Sequence, residues 1–426
     1  MSQPKNLKKL TRARMERTGE SYTTARKAIL TNRPEPVSAQ NAAKRTAQSQ
    51  SAKAQAAPAV ELTEELPEYP APDDVQQYDA ALWHRVLTQA GVTHPLTGEP
   101  LSEALLFGLG GGIGFMLHSF SEAQTFSLAL TTRAHPEPFS ANLVERSGTK
   151  VRIRTTGNAQ AAAANLDAGL DAGRAIVVRV SRAALPWINP AEVDPADTID
   201  VAVLGEMDDA LLIDAGTDQL ELISPEDLAT ARAKHKRDKN YCAWVPSRRA
   251  PKPDLLRVSV LASLEQATGR MLGSSELPGL PAHYARNFGV AGMRQFAERL
   301  SDTTGETGWP QLLASDTLRH EALRQLDQFL SERRFAATDG FRGLFAAFLN
   351  EAAQLPELSP LAAHTATYQQ LTERWKSFTS GLRQSLTGEL DIDALANLGT
   401  ELHALADAES SAATALSDTV EKLAGH

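Results

Sequence analysis

At 426 residues the chain is long for one domain and ample for two, so it can bury a core without metal or disulfide support. Its 42% apolar and 22% charged content sits near the globular average, and a net charge of -9 argues for solubility more than for any particular partner. A single cysteine, Cys242, excludes an intramolecular disulfide framework. Lys5, Lys8 and Lys9 are followed by no apolar stretch, so no secretory leader is expected and the cytoplasm is the expected compartment.

The first segment, 1–33, is a basic arm. Lys5, Lys8, Lys9, Arg12, Arg14, Arg17, Arg26, Lys27 and Arg33 face only Glu16 and Glu20, and the spacing of Leu7, Leu10, Ala13 and Met15 predicts a short helix that Gly19 ends. The stretch ARMERTGESYTTAR resembles short appendages fused to unrelated bacterial proteins. Lys8, Lys9, Arg12, Arg14 and Arg17 are the candidates for a nucleic-acid contact through phosphates, and a solvated basic face is the simpler account of the same charges. Residues 34–72 turn to Ala, Gln, Ser, Pro and Glu and read as a linker.

A helix is expected over 74–90 from Val75, Tyr78, Leu82 and Val86, capped by Asp73 or Asp74 and ended by Gly91. The glycine-rich run LSEALLFGLGGGIGF reads as a buried, tightly packed turn. Strand character follows in FSLALTT, FSANLVE and KVRIRTT, then an Ala-rich helix over 158–172, then AIVVRV, IDVAVLGEM, ALLIDAG and QLELIS as an antiparallel meander. Pro225 opens a helix to about Lys236, NYCAWV reads as the last strand, and everything after Asp254 is helical in pattern, ending in an acidic, Ala-rich stretch of one or two helices from 391. The expected fold is therefore α+β over 73–250, all-α over 251–383, and an acidic helical tail over 384–426.

The glycine run fails the tests for phosphate chemistry. A dinucleotide fingerprint needs a third glycine where Ile113 or Phe115 stands, and a Walker-type loop needs a lysine, of which there is none between Arg85 and Arg133. The interval from Glu103 to His118 is too short to cross a bilayer, which needs about 20 apolar residues. Glycine here supplies close backbone approach and positive φ.

With its neighbours the run resembles the family named for the butirosin-biosynthesis acyltransferase, and GVAGMRQFAERL, GFRGLFAAFLNEAAQL and YQQLTERWKSF resemble the domain of unknown function that follows it there. The resemblance implies a papain-like cysteine-peptidase fold. Active members carry a cysteine at the start of the first helix, a histidine opening a later strand, and an Asn or Asp on the next strand, an arrangement in which the helix end favours thiolate and the imidazole moves the proton. On YDAALWHRVLTQAG the cysteine position falls on Tyr78, with Asp79 as the acidic follower. On TIDVAVLGEMDD the histidine position falls on Ile199 or Asp200. Only Asp214 of LLIDAG keeps the family's residue type, and as an Asp with nothing to orient it reads more simply as a turn cap.

No substitute pair stands out. Cys242 lies in an apolar run and reads as a buried small hydrophobe. His84, His94 and His118 lack metal-ligand spacing, and no spacing supports Ser102 with His118 as nucleophile and base. The expectation is a non-catalytic relative that binds a small molecule, a peptide or an acyl carrier in the old cleft, with Asp79, His84, Gly110, Gly111 and Gly112 as binding candidates. An acyltransferase with substituted residues and a nucleic-acid-associated protein are the alternatives. No cofactor, metal or membrane is called for, and self-association is left open.

Overall fold

The computed structural model describes residues 68–122, 125–136, 138–207, 209–246, 250–275, 277 and 281–425. The basic arm with Lys8, Lys9, Arg12, Arg14 and Arg17, and nearly all of the linker, lie outside the described residues. The remainder folds as an α+β part followed by helices.

Helix α1 (Tyr78–Gln89) begins later than its apolar period predicts. Asp74 stands in the left-handed region at φ 51° and does not cap. Gln77 does, its side chain accepting from the Ala80 N–H, because a long amide reaches the first free amide when the chain enters extended. Gly91, at φ 72°, ends the helix as expected. The glycine run is more than a turn. It forms helix α2 (Glu103–Leu109), a tight corner at 110–112, and strand β1 (Ile113–Glu122), which pairs antiparallel with β2 (Thr125–Arg133). A Cβ on Gly110 would sit 2.6 Å from the Phe139 ring, and one on Gly112, at φ 62°, 2.7 Å from the Phe345 ring. The glycines admit aromatic rings to the backbone.

FSANLVE, expected as a strand, is helix α3 (Phe139–Arg146). Its two large buried residues, Phe139 and Leu143, are four apart and so satisfy both a helical and a two-residue period. Strand β3 (Arg152–Arg154), helix α4 (Ala159–Leu170), strands β4 (Ile176–Ser181), β5 (Thr198–Met207), β6 (Ala210–Asp214) and β7 (Leu220–Ile223), helix α5 (Pro225–Ala233) and strand β8 (Cys242–Trp244) complete the α+β part. The sheet order is β3-β8-β4-β5-β6-β7, so the last strand lies inside the sheet and the expected meander β4 to β7 is present.

Alternation along the strands separates two cores. Ile176, Val178, Val180, Val201, Val203, Ile213, Cys242 and Trp244 pack with Leu166 of α4 and Leu228 of α5. Val177, Ala202 and Ala243 face the other way and join an apolar cluster that runs without a break from Ala80 to Leu423. That second core also holds the β1–β2 hairpin and the helices α6 (Pro253–Leu272), α7 (Gly289–Ser301), α8 (Trp309–Leu312), α9 (Asp316–Glu332), α10 (Arg342–Ala352), α11 (Thr365–Ser385) and α12 (Ile392–Ala424). The acidic tail is one helix of 33 residues. Inside the core Arg342 is paired with Glu409 at 2.7 Å, both side chains fully buried, and Trp375 Nε1 donates to the same carboxylate oxygen at 2.6 Å.

Candidate functional site

The amino end of α1 is held by a dense polar frame. The backbone N–H groups of Gln76 and Gln77 donate to Glu103 Oε1 at 2.9 and 2.5 Å, and burial pushes that carboxyl up to about 7 against the two hydrogen bonds. Asp79 accepts from Ser140 Oγ at 2.8 Å and Gln77 Nε2 at 3.1 Å, with Arg133 at 3.5 Å. Asp79 therefore braces the helix start.

Tyr78 occupies the first helical position and is 5% exposed. Its ring packs on Gly216, where a Cβ would lie 2.9 Å from the ring, and its hydroxyl donates to the Asp200 carbonyl at 3.0 Å. Burial pushes the phenol well above its ordinary range, so it is a neutral donor and a poor nucleophile. The three positions Tyr78, Asp200 and Asp214 thus meet at one end of the sheet, with Ile199 buried in the same apolar cluster as Tyr78.

Both carboxylates are consumed by arginines. Asp200 accepts from Arg179 Nε and Nη2 at 2.8 and 3.0 Å across the β4–β5 pair, and burial pushes its carboxyl up while Arg179 opposes. Asp214, fully buried, accepts from Arg85 Nε and Nη2 at 2.6 and 3.0 Å, from Tyr69 Oη at 2.5 Å and from the Gly216 N–H at 2.7 Å. The expected turn-capping bond is present, and the ion pair with Arg85 is the larger interaction. Neither carboxylate is left to orient a base.

A segment from the helical region closes the rest. Tyr78 N–H donates to the Arg333 carbonyl at 3.0 Å, Gln77 Nε2 and Arg133 Nε to the Arg334 carbonyl at 3.0 and 2.7 Å, and Thr132 N–H to the Phe335 carbonyl at 2.8 Å. Arg334, itself buried, lays its guanidinium 5.6 Å from the Tyr78 ring centre and bonds Asp197 at 2.8 Å and the Thr198 carbonyl at 2.9 Å. Beside this closed end opens a cleft of about 1100 Å³ lined by, among others, Gln76, Arg182, Trp187, Gly216, Arg333 and Phe341.

The remaining candidates lie elsewhere. Gly110, Gly111 and Gly112 are buried against Phe139, Ala134 and Phe345 and do not line the cleft. His84 Nδ1 bonds the Leu101 carbonyl at 2.7 Å, and burial lowers its pKa. Ser102 Oγ is engaged by Glu351, while His118 rests on Phe120 with ring centres 5.7 Å apart, so the two do not form a pair. Among the described residues no group of three or more His, Cys, Asp or Glu side chains is arranged to hold a metal ion, and no helix is long and apolar enough to cross a membrane. Reading the sequence missed Arg85, Arg179 and Arg334. The signal was there for the first two, in WHRV and AIVVRV, because a cation inside a buried apolar run needs an anion.

Residues 79–215 match the family described as butirosin biosynthesis protein H, N-terminal, and residues 226–416 match a domain of unknown function, DUF4872. No curated protein shows a significant match. In order and extent these two matches are the paired architecture that the glycine run and the helical motifs resemble, and the chain belongs to the butirosin-biosynthesis-protein-H-like proteins that carry it.

Proposed function

We propose that the chain is a non-catalytic member of this group that binds a small molecule, a peptide or an acyl carrier in the cleft beside the former nucleophile position. The observation that carries the reading is Tyr78. A buried, neutral phenol tied to the Asp200 carbonyl stands at the helix end where a thiolate is expected, and the two nearby carboxylates are already neutralised by Arg179 and Arg85. Acyl transfer needs a nucleophile, a base within about 3 Å of it and an oriented third group. Here the third group is engaged and the first two are replaced.

Binding is supported by the cleft, which is open beside Gln76 and Gly216, mixes Trp187 and Phe341 with charged groups, and is large enough for a ligand of metabolite size or above. The test pairs turnover with binding. Incubation of the full chain with an acyl-N-acetylcysteamine thioester and a panel of amines is expected to give no transfer or hydrolysis above background by mass spectrometry. Thermal-shift titration with thioesters, amines and short peptides is expected to find a stabilising class whose effect is lost in Trp187→Ala. Turnover that disappears in Tyr78→Phe or Asp214→Asn overturns the non-catalytic reading, and retained binding in Trp187→Ala moves the ligand out of this cleft.

A further inference from the structure

Three consecutive carbonyls, of Arg333, Arg334 and Phe335, are read by a row of donors that belongs to the α+β part. The donors are the Tyr78 N–H, Gln77 Nε2, Arg133 Nε and the Thr132 N–H, at 2.7 to 3.0 Å. Thr131 Oγ1 adds a second bond to the Phe335 carbonyl at 3.1 Å. Such a row recognises polypeptide main chain irrespective of side chain. The first donor has a special place, since in acyl-transfer sites the backbone N–H at the nucleophile is a common donor to the reacting carbonyl oxygen. The Arg333 carbonyl sits on that donor.

The middle residue is also read. Its guanidinium is held by Asp197, by the Thr198 carbonyl and over the Tyr78 ring, so the groove has a subsite for a cationic side chain next to the main-chain donors. Arg333 is exposed, lines the large cleft, and adopts φ 49°, a region that non-glycine residues disfavour. One end of the segment therefore faces the open cleft while its middle is buried in the closed groove.

We propose that Arg333–Phe335 is an internal pseudo-ligand: it fills a groove whose donors read peptide main chain, and a peptide from outside reaches the amino end of α1 only when this strap is released. The inference rests on the binding reading above and narrows its ligand to polypeptide with a basic side chain. It also explains why the site is closed although a cleft opens beside it.

The sole native cysteine, Cys242, is buried in the sheet core and serves as an internal monitor of global unfolding. Iodoacetamide labelling mapped by peptide mass compares the full chain carrying Tyr78→Cys with the same chain carrying Arg334→Ala as well. With the strap intact the introduced thiol is expected to label as slowly as Cys242. With Arg334→Ala it is expected to label at least tenfold faster while Cys242 is unchanged, and millimolar acetyl-Arg-Arg-Phe-amide is expected to restore at least half of the protection. If Arg334→Ala does not fold, Asp197→Asn cuts the same ion pair from the other side and takes its place. Fast labelling with the strap intact, parallel acceleration of both cysteines, or no protection by the peptide each overturns the proposal. None of these results bears on thioester turnover, so the strap and the non-catalytic reading fail independently.

Discussion

The Arg85–Asp214 pair offers the sharpest test of whether Asp214 is a structural residue. The two side chains are 3% and 0% exposed and meet through two hydrogen bonds at 2.6 and 3.0 Å. At an effective dielectric of about 20, unit charges about 4 Å apart attract by about 4 kcal/mol. Removing one partner leaves the other charge in the core, and the expected loss is about 3–5 kcal/mol for either Arg85→Met or Asp214→Ala. Against a typical domain stability of about 5–15 kcal/mol, that is enough to shift a urea midpoint strongly. Replacing both, as Arg85→Met with Asp214→Leu, removes the desolvation penalty along with the attraction, so the double variant is expected to lie closer to the parent than either single one. Urea unfolding followed by far-ultraviolet circular dichroism on all four proteins supplies the cycle. Single losses below about 1 kcal/mol, or a double loss equal to the two singles together, would refute the argument that this pair is buried and coupled.

Glu103 makes a pH-dependent prediction. Its folded carboxyl is pushed up to about 7 from 4.5, so between those values the unfolded chain has given up a proton that the folded chain keeps. Stability from this group falls as pH rises through that window and levels off above it, and in Glu103→Gln the gain over the parent is expected to grow from pH 4 to pH 8 in melting curves. An unchanged difference across that range would remove Glu103 as the cause. For Gly112→Ala, the left-handed backbone and the Phe345 ring 2.7 Å from the new Cβ predict a loss of about 1–3 kcal/mol by denaturant titration, and a neutral result would mean the corner is not tightly packed. Trp375→Phe deletes the 2.6 Å bond to Glu409, whose second oxygen has no partner among the described residues, and is expected to cost about 1–3 kcal/mol in the same assay.

How much of the site was legible can be followed residue by residue. The first-helix and strand positions could be placed along the chain, and Tyr78, Asp200 and Asp214 do come together. Their partners could not be placed. Arg85 and Asp214 are 129 positions apart and Gln77 and Arg334 are 257 apart, and no local period records such a meeting. The misread segment over 139–145 has the same origin. Phe139 and Leu143 fit two periods, and the choice fell to the helix that brings Phe139 onto Gly110.

By itself the sequence determined the order and nearly all the types of the elements, the failure of the glycine run as a phosphate loop, and the absence of Cys and His from positions 78, 199 and 200. These are local properties, written in spacing and residue type. Only the tertiary structure decided that the glycines serve aromatic packing, that both carboxylates are neutralised, and that a strap from the helical region lies on the amino end of α1. Burial makes an unpaired charge or amide costly, and which distant group relieves it depends on how the chain closes in space.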